Sequence, residues 1–336
     1  MARSPAGHAQ ALHRPGARGS FTGWASVARS PGGRPGGARR VAGPGRVAAM
    51  GSAMGSHPVP VPTTSAGREG LVALLARPGR AVVGLDFDGT LAEIVPDPDQ
   101  ARAHPGAVPA LSRLAPRIRS VAVITGRPAE IAVRYGGFAG AEGLDGLVVL
   151  GLYGAERWDA GSGEVQAPDP HPGVAAVQAE LPAVLEEHGA SRGTWIEDKG
   201  RAVAVHTRRA EDPQATFERL RAPLHALAER HGLIVEPGRL VLELRPPGMD
   251  KGVALIDYVR RTGAEAVLYA GDDLGDLAAF AAVERLREEG VPGLLVCSGS
   301  TEVTELAKRA DLVVDGPAGV VDLLSALAAA VSDEAA

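Results

Sequence analysis

Three short segments of the chain carry residue types that handle phosphate. Asp86-Phe87-Asp88-Gly89-Thr90 sets two carboxylates two positions apart. Thr125-Gly126-Arg127 offers a hydroxyl and a guanidinium, and Gly271-Asp272-Asp273-Leu274-Gly275-Asp276 adds three more carboxylates. Lys251 contributes an ammonium. Carboxylates crowded into one place repel one another and keep their pKa values high unless a cation sits among them. A hard divalent ion answers that, and Mg2+ needs only a few carboxylates beside its waters and a substrate phosphate. An aspartate in such a site can attack phosphorus and form an acyl phosphate. Asp88 lies on the same side of an extended strand end as Asp86. It can protonate the leaving alcohol and then take a proton from the water that cleaves the intermediate. Read singly, each Asp-rich loop is an ordinary solvated turn; two at strand ends of one sheet favour a site.

Lysine usage supports this. Of 35 basic residues only Lys199, Lys251 and Lys308 are lysines, and the first two both lie in Asp-Lys-Gly. A chain that solvates its surface with arginine keeps lysine where a compact ammonium suits a phosphate oxygen better than a guanidinium fork.

These residues must be held by strand ends. AVVGLDFDGT (81–90), SVAVITGR (120–127), LVVLG (147–151), AVLYAGDD (266–273), GLLVCSG (293–299) and DLVVDG (311–316) each read as a strand, separated by helical patterns such as 110–118, 128–136, 251–263, 274–290 and 318–331. Continuous Val, Ile and Leu runs alternating with helices predict a doubly wound parallel α/β sheet, a Rossmann-like core. Ligands bind at the carboxyl ends of such strands. The pattern is interrupted by helices over 174–189 and 212–232 and by period-two strands in TWIEDKG, RAVAVHTR, LIVEPG and RLVLELRP. That predicts an inserted α+β domain. The expected organisation is a leader over 1–68, a first core segment over 69–160, the insert over 161–247 and a second core segment over 248–331.

The net charge of -5 averages two unlike regions. Residues 1–54 hold eight arginines and no acidic residue, which leaves -13 for the remainder. An acidic body is a poor nucleic-acid surface. The Gly-, Pro- and Arg-rich leader reads as disordered. The preferred reading is an over-extended start, with Met50 or Met54 as the true one; a basic binding arm or an organellar transit peptide are the alternatives. No run reaches the ~18 apolar residues of a membrane span. The single Cys297 excludes a disulfide framework and a cysteine zinc site and suits a reducing, cytoplasmic setting.

In this order DFDGTL, ITGR, Lys251 and GDDLGD resemble the four motifs of the haloacid dehalogenase superfamily of phosphatases, and the insert resembles the caps that recognise sugar phosphates. More narrowly, GLYGAE (151–156), WIEDKGRAVAVHTR (195–208) and LELRPPGMDKG (242–252) are similar to the trehalose-6-phosphate phosphatase family, a resemblance covering about 70–331. It implies Mg2+-dependent hydrolysis of trehalose 6-phosphate, the last step of trehalose biosynthesis, through an aspartyl phosphate. Asp86 is then the nucleophile and Asp88 the general acid/base. The metal is held by the Asp86 carboxylate, the Asp88 carbonyl and Asp272. Thr125 and Lys251 hold phosphoryl oxygens, and Asp273 and Asp276 orient metal waters and Lys251. Glu197, Lys199 and Glu243 match sugar-binding positions, while Arg127 reaches the substrate or caps a helix start. Thr125 stands where Ser is frequent, Tyr153 where His is common and Gly275 where Thr is. Tyr153 and Gly275 receive no role, and His206 and Trp195 read as structural. The partner is a small sugar phosphate, with no nucleic acid and no membrane; the oligomeric state stays open, a monomer being compatible. The competing readings are a capped phosphatase for another substrate, such as sucrose 6-phosphate, and a non-hydrolytic receiver-like phosphoryl-binding module. A receiver has neither the insert nor a second acid for hydrolysis.

Overall fold

The computed structural model describes residues 58–299 and 304–333. The expectations for residues 1–57, disorder and an alternative start, lie outside the described residues. In chain order the strands are β1 (Ala81–Leu85), β2 (Ser120–Ile124), β3 (Leu147–Gly151), β4 (Glu156–Asp159), β5 (Val165–Gln166), β6 (Trp195–Asp198), β7 (Val203–His206), β8 (Ile234–Gly238), β9 (Val241–Arg245), β10 (Ala266–Gly271), β11 (Gly293–Gly299) and β12 (Leu312–Asp315). The helices are α1 (Ser65–Ala76), α2 (Ala107–Leu114), α3 (Ala129–Gly136), α4 (Pro172–Glu187), α5 (Pro213–Arg230), α6 (Lys251–Thr262), α7 (Leu277–Glu288), α8 (Thr304–Arg309) and α9 (Gly316–Asp333).

The large sheet has the order β12-β11-β10-β1-β2-β3-β4-β5. It is parallel from β12 to β3, with β4 and β5 antiparallel at the edge. Its strands are apolar throughout because both faces are covered. On β1, Ala81, Val83 and Leu85 face the layer of α1, α2, α3 and α9, while Val82 faces that of α6, α7 and α8. The α/β core expected from the strand and helix pattern is therefore present.

The inserted segment forms an antiparallel sheet of order β6-β7-β9-β8. Its apolar face buries Val203, Val205, Leu242 and Leu244 against Val177 and Leu181 of α4 and Leu220, Leu224 and Leu227 of α5. The alternate residues Glu197, His206, Glu243 and Arg245 fall on the opposite face. Period two thus sorts this sheet into an apolar side and a polar side.

Two boundaries differ from expectation. The core sheet runs on through β5 to Gln166, past the expected division at 160, because a short hairpin extends its edge. Helix α1 begins at Ser65, inside the expected leader, with the Thr64 hydroxyl accepting from Gly67 N. Its signal is close packing rather than an apolar stripe. A Cβ on Gly67 would lie 2.3 Å from Asp311 Cβ, and one on Gly70 would lie 1.9 Å from the Gly293 carbonyl oxygen. Thr63 N donates to the Asp311 carbonyl at 2.8 Å, which ties this segment to the start of β12.

Candidate active site

Asp86 follows β1 directly, and its amide donates to Ala270 O at 2.9 Å, continuing the β1–β10 ladder to this residue. The carboxylate is 4% exposed. Lys251 opens α6, whose start is capped by Asp250 accepting from Val253 N at 2.8 Å. Its buried Nζ lies 2.9 Å from Asp86 Oδ1 and 2.8 Å from Asp276 Oδ1. Asp276 is fully buried and accepts four bonds. Lys251 Nζ and Tyr269 OH donate to Oδ1 at 2.8 and 2.6 Å; the Asp272 and Asp273 amides donate to Oδ2 at 3.0 and 3.2 Å.

Asp86, Asp272 and Asp276 have carboxylate oxygens within 4.8 Å of one another. The four donors on Asp276 fill the lone-pair capacity of a carboxylate, so oxygens able to take a further partner belong to Asp86 and Asp272. Burial pushes Asp86 well above the usual carboxylate range; the Lys251 charge opposes this, and Asp276, Asp272 and Asp273 add to it. Burial, followed by the charges of Asp276 and Asp273, pushes Asp272 up to about 8. Asp272 Oδ1 is buried without a hydrogen-bond partner. Gly89, at φ 76°, gives the carboxylate its room: a Cβ there would lie 2.0 Å from Asp272 Oδ2. The Ser298 hydroxyl pins that loop by donating to Gly89 O at 2.7 Å. Uncompensated buried oxygens of hard character fit a divalent cation.

Asp88 is partly exposed and takes two bonds from Arg127, Nε to Oδ2 and Nη2 to Oδ1, both at 2.7 Å. Buried Thr125 accepts from Arg127 N at 3.1 Å. Arg127 therefore caps no helix; the start of α3 is taken by Glu156, which accepts from Ala129 N at 2.8 Å. Asp273 has a local bond as well. It caps the turn Leu274–Asp276 by accepting from Gly275 N at 2.9 Å, and of Asp273 and Asp276 it is Asp276 that bonds Lys251.

In the inserted unit Lys199 Nζ donates to Glu243 Oε2. His206 Nε2 and Glu197 Oε2 are 2.7 Å apart, and the His206 ring stacks on Trp195 at 4.4 Å. Burial raises the Glu197 pKa, but the His206 bond and then the charges of Lys199, His206 and Arg127 hold it below its ordinary value. Burial first, then Glu243, pushes the Tyr153 phenol up to about 12, against Lys199, Lys251 and Arg245. Arg201 lies 3.6 Å from Glu156 and Arg209 3.5 Å from Asp97, tying the unit to the core rim. Sequence reasoning did not single out Tyr269, Glu156 or Arg245. Tyr269 sits inside an apolar strand and gives no signal. Arg245 has one: it lies two residues after Glu243, hence on the same strand face.

A family model described as trehalose-phosphatase matches residues 84–315. The trehalose-phosphate phosphatase of Mycolicibacterium paratuberculosis is 35% identical over 253 residues, covering 73% of this chain and 61% of that protein. The chain therefore spans less than two-thirds of that relative's length. Among solved structures, the C-terminal domain of C. albicans trehalose-6-phosphate phosphatase is 20% identical with a TM-score of 0.61, covering 81% of this chain and 99% of that one. The Aspergillus fumigatus trehalose-6-phosphate phosphatase is 24% identical with a TM-score of 0.57, covering 80% and 99%. These two share the fold of the core and its insert. The family match runs from the strand that presents Asp86 to the last strand of the sheet, and so takes in the Asp86–Thr90 loop, the inserted unit and the acidic loop together: the chain belongs to the trehalose-phosphatase family.

Proposed function

We propose that this chain hydrolyses trehalose 6-phosphate to trehalose and inorganic phosphate through an aspartyl phosphate on Asp86, the last step of trehalose biosynthesis. The observation that carries the reading is the buried Asp86–Lys251–Asp276 cluster at the end of the central strand, faced by an inserted sheet whose polar side carries Glu197, Lys199 and Glu243. An oxygen of Asp86 attacks phosphorus as the bond to the sugar oxygen breaks, and the Asp88 carboxyl gives that oxygen its proton. Asp88 then takes a proton from water, which attacks the acyl phosphate; the Asp86–phosphorus bond breaks and phosphate leaves. Arg127 holds Asp88 in place, and Thr125 and Lys251 bind phosphoryl oxygens, Lys251 being steadied by Asp276. Mg2+ would be held by Asp86, the Asp88 carbonyl and Asp272, with Asp273 at the rim, and when bound it offsets the charge of the phosphoryl oxygens. Glu197, Lys199 and Glu243 accept and donate to sugar hydroxyls, and the inserted unit acts as the cap that excludes bulk water. Among the described residues no helix is long and apolar enough to cross a membrane; a cytoplasmic location belongs to the proposal.

The test is phosphate release from a panel of trehalose 6-phosphate, sucrose 6-phosphate and glucose 6-phosphate. Trehalose 6-phosphate is expected to lead. Another member ahead by more than about 10-fold in kcat/KM, about 1.4 kcal/mol, overturns the substrate. Asp86→Asn is expected to lose turnover with the fold intact, and EDTA to abolish activity; retained activity in either case removes the corresponding assignment.

A further inference from the structure

Arg245 ends β9 and is 4% exposed. Only one of its hydrogen bonds is made, from Nη2 to Glu236 at 2.8 Å. Its Nε and Nη1 are buried and have no hydrogen-bond partner among the described residues. Buried donors are normally satisfied, so two open ones on one guanidinium call for an acceptor. The side chain is not loose. Its guanidinium lies over the Tyr153 ring, 4.7 Å from the centroid. A ring takes the flat face of a guanidinium, whereas the N–H bonds point outward in its plane, so stacking holds the group and leaves its donors available. Tyr153 belongs to the core and reaches this place through an unusual backbone: it has φ 58°, after Leu152 at φ 47°. A left-handed conformation in two successive bulky residues is costly and persists where surroundings impose it. The Tyr153 hydroxyl sits against Gly126, where a Cβ would come within 2.7 Å of it. The ring therefore stands between the Thr125-Gly126-Arg127 loop and the inserted sheet.

The neighbourhood states what kind of acceptor fits. Glu243, two residues before Arg245 on the same strand face, has Oε2 paired with Lys199 and Oε1 buried with no partner. An open acceptor beside open donors, on the face turned to the site, complements hydroxyl groups, each of which donates once and accepts. We infer that Arg245, seated on Tyr153, is a substrate-binding and specificity-determining residue, donating from Nε and Nη1 to sugar hydroxyl oxygens next to those bound by Glu243, with Tyr153 as its positioning residue. This rests on the sugar-phosphatase reading above and extends it to two residues outside the expected sugar set.

The experiment compares trehalose 6-phosphate with p-nitrophenyl phosphate, which asks the same chemistry of Asp86 and offers no hydroxyls. Arg245→Leu is expected to lower kcat/KM for the sugar phosphate by about 50-fold while p-nitrophenyl phosphate changes by less than about 3-fold. Arg245→Lys, which keeps the charge and is the safer variant for folding, is expected to lose about 10-fold on the sugar alone, because one ammonium does not reproduce two fixed donors. Tyr153→Leu, which removes the ring under Arg245, is expected to fall on the sugar phosphate with Arg245→Leu, chiefly through KM. Equal losses on both substrates, or no loss on the sugar phosphate, overturn the inference. The wild-type panel keeps the two ideas apart. Preference for another phosphorylated sugar refutes the trehalose reading, and the Arg245 ratio is then read on that sugar. No preference for any sugar phosphate over p-nitrophenyl phosphate refutes both.

Discussion

Replacing Asp276 by Asn tests how the site is held together. Every partner of this fully buried carboxylate donates: Lys251 Nζ and Tyr269 OH to one oxygen, the amides of Asp272 and Asp273 to the other. An asparagine has one acceptor and one donor end. With its amide nitrogen at the first position it meets the Lys251 ammonium; flipped, it meets two backbone N–H groups. None of these can reverse its role, so either orientation leaves buried donors unmatched at about 1–3 kcal/mol each. Loss of the negative charge beside buried Lys251 adds to this. Removing that charge also relieves repulsion with Asp86 and Asp272, a gain that matters only without a cation, so the measurement is made in excess Mg2+. The expected net loss is about 3 kcal/mol, which for a folded unit of this size lowers Tm by about 6–12 °C. Lys251 then loses one of its two anchors, and kcat is expected to fall by about 100-fold. Thermal unfolding by circular dichroism and steady-state phosphate release measure both. Asp273→Asn is the control, since Asn and Asp cap helical turns about equally well; it is expected to change Tm by less than about 2 °C. An Asp276→Asn protein with Tm within about 2 °C of wild type, or as active, refutes the argument that four donors require a carboxylate.

Gly89→Ala places a methyl against Asp272 at a positive φ; kcat is expected to drop by at least about 100-fold and Tm to fall with the backbone strain, and an active variant shows that Asp272 has room to move. Asp311→Ala removes a buried carboxylate that accepts from Thr64 Oγ1, Leu295 N and Arg287 at the other end of the sheet. Urea unfolding should show a loss of about 3–5 kcal/mol, with kcat at room temperature unchanged; a loss below about 1 kcal/mol contradicts the clasp. Burial, followed by the charges of Asp272 and Asp276, pushes the Cys297 thiol up to about 11. A thiol-specific reagent at about pH 8, near the ordinary thiol pKa, should therefore label the folded protein negligibly and one thiol per chain in denaturant, and rapid native labelling counts against this burial.

The core was readable because its strands are continuous apolar runs ending in Asp, Thr and Gly, and such runs have no other use than a sheet covered on both sides. The inserted sheet was readable for a different reason. Its period-two alternation marks one apolar and one polar face, and the fold turns Leu242 and Leu244 to the helices while Glu243 pairs with Lys199. Helix α1 escaped the pattern because glycines at close contacts, not an apolar stripe, dock it. Strands β4 and β5 escaped because a short edge hairpin carries little hydrophobic signal.

The chain by itself determined which carboxylates and hydroxyl stand at the strand ends, since residue type and local period depend on near neighbours alone. What it left open is who bonds whom across distance. That Arg127 holds Asp88 instead of a helix start, that Lys251 lies between Asp86 and Asp276, and that Arg245 lies over Tyr153 are contacts between segments far apart in sequence. Hydrogen-bond partners are decided by packing geometry to within a few tenths of an ångström, and that geometry exists only once the sheets and helices have closed around the site.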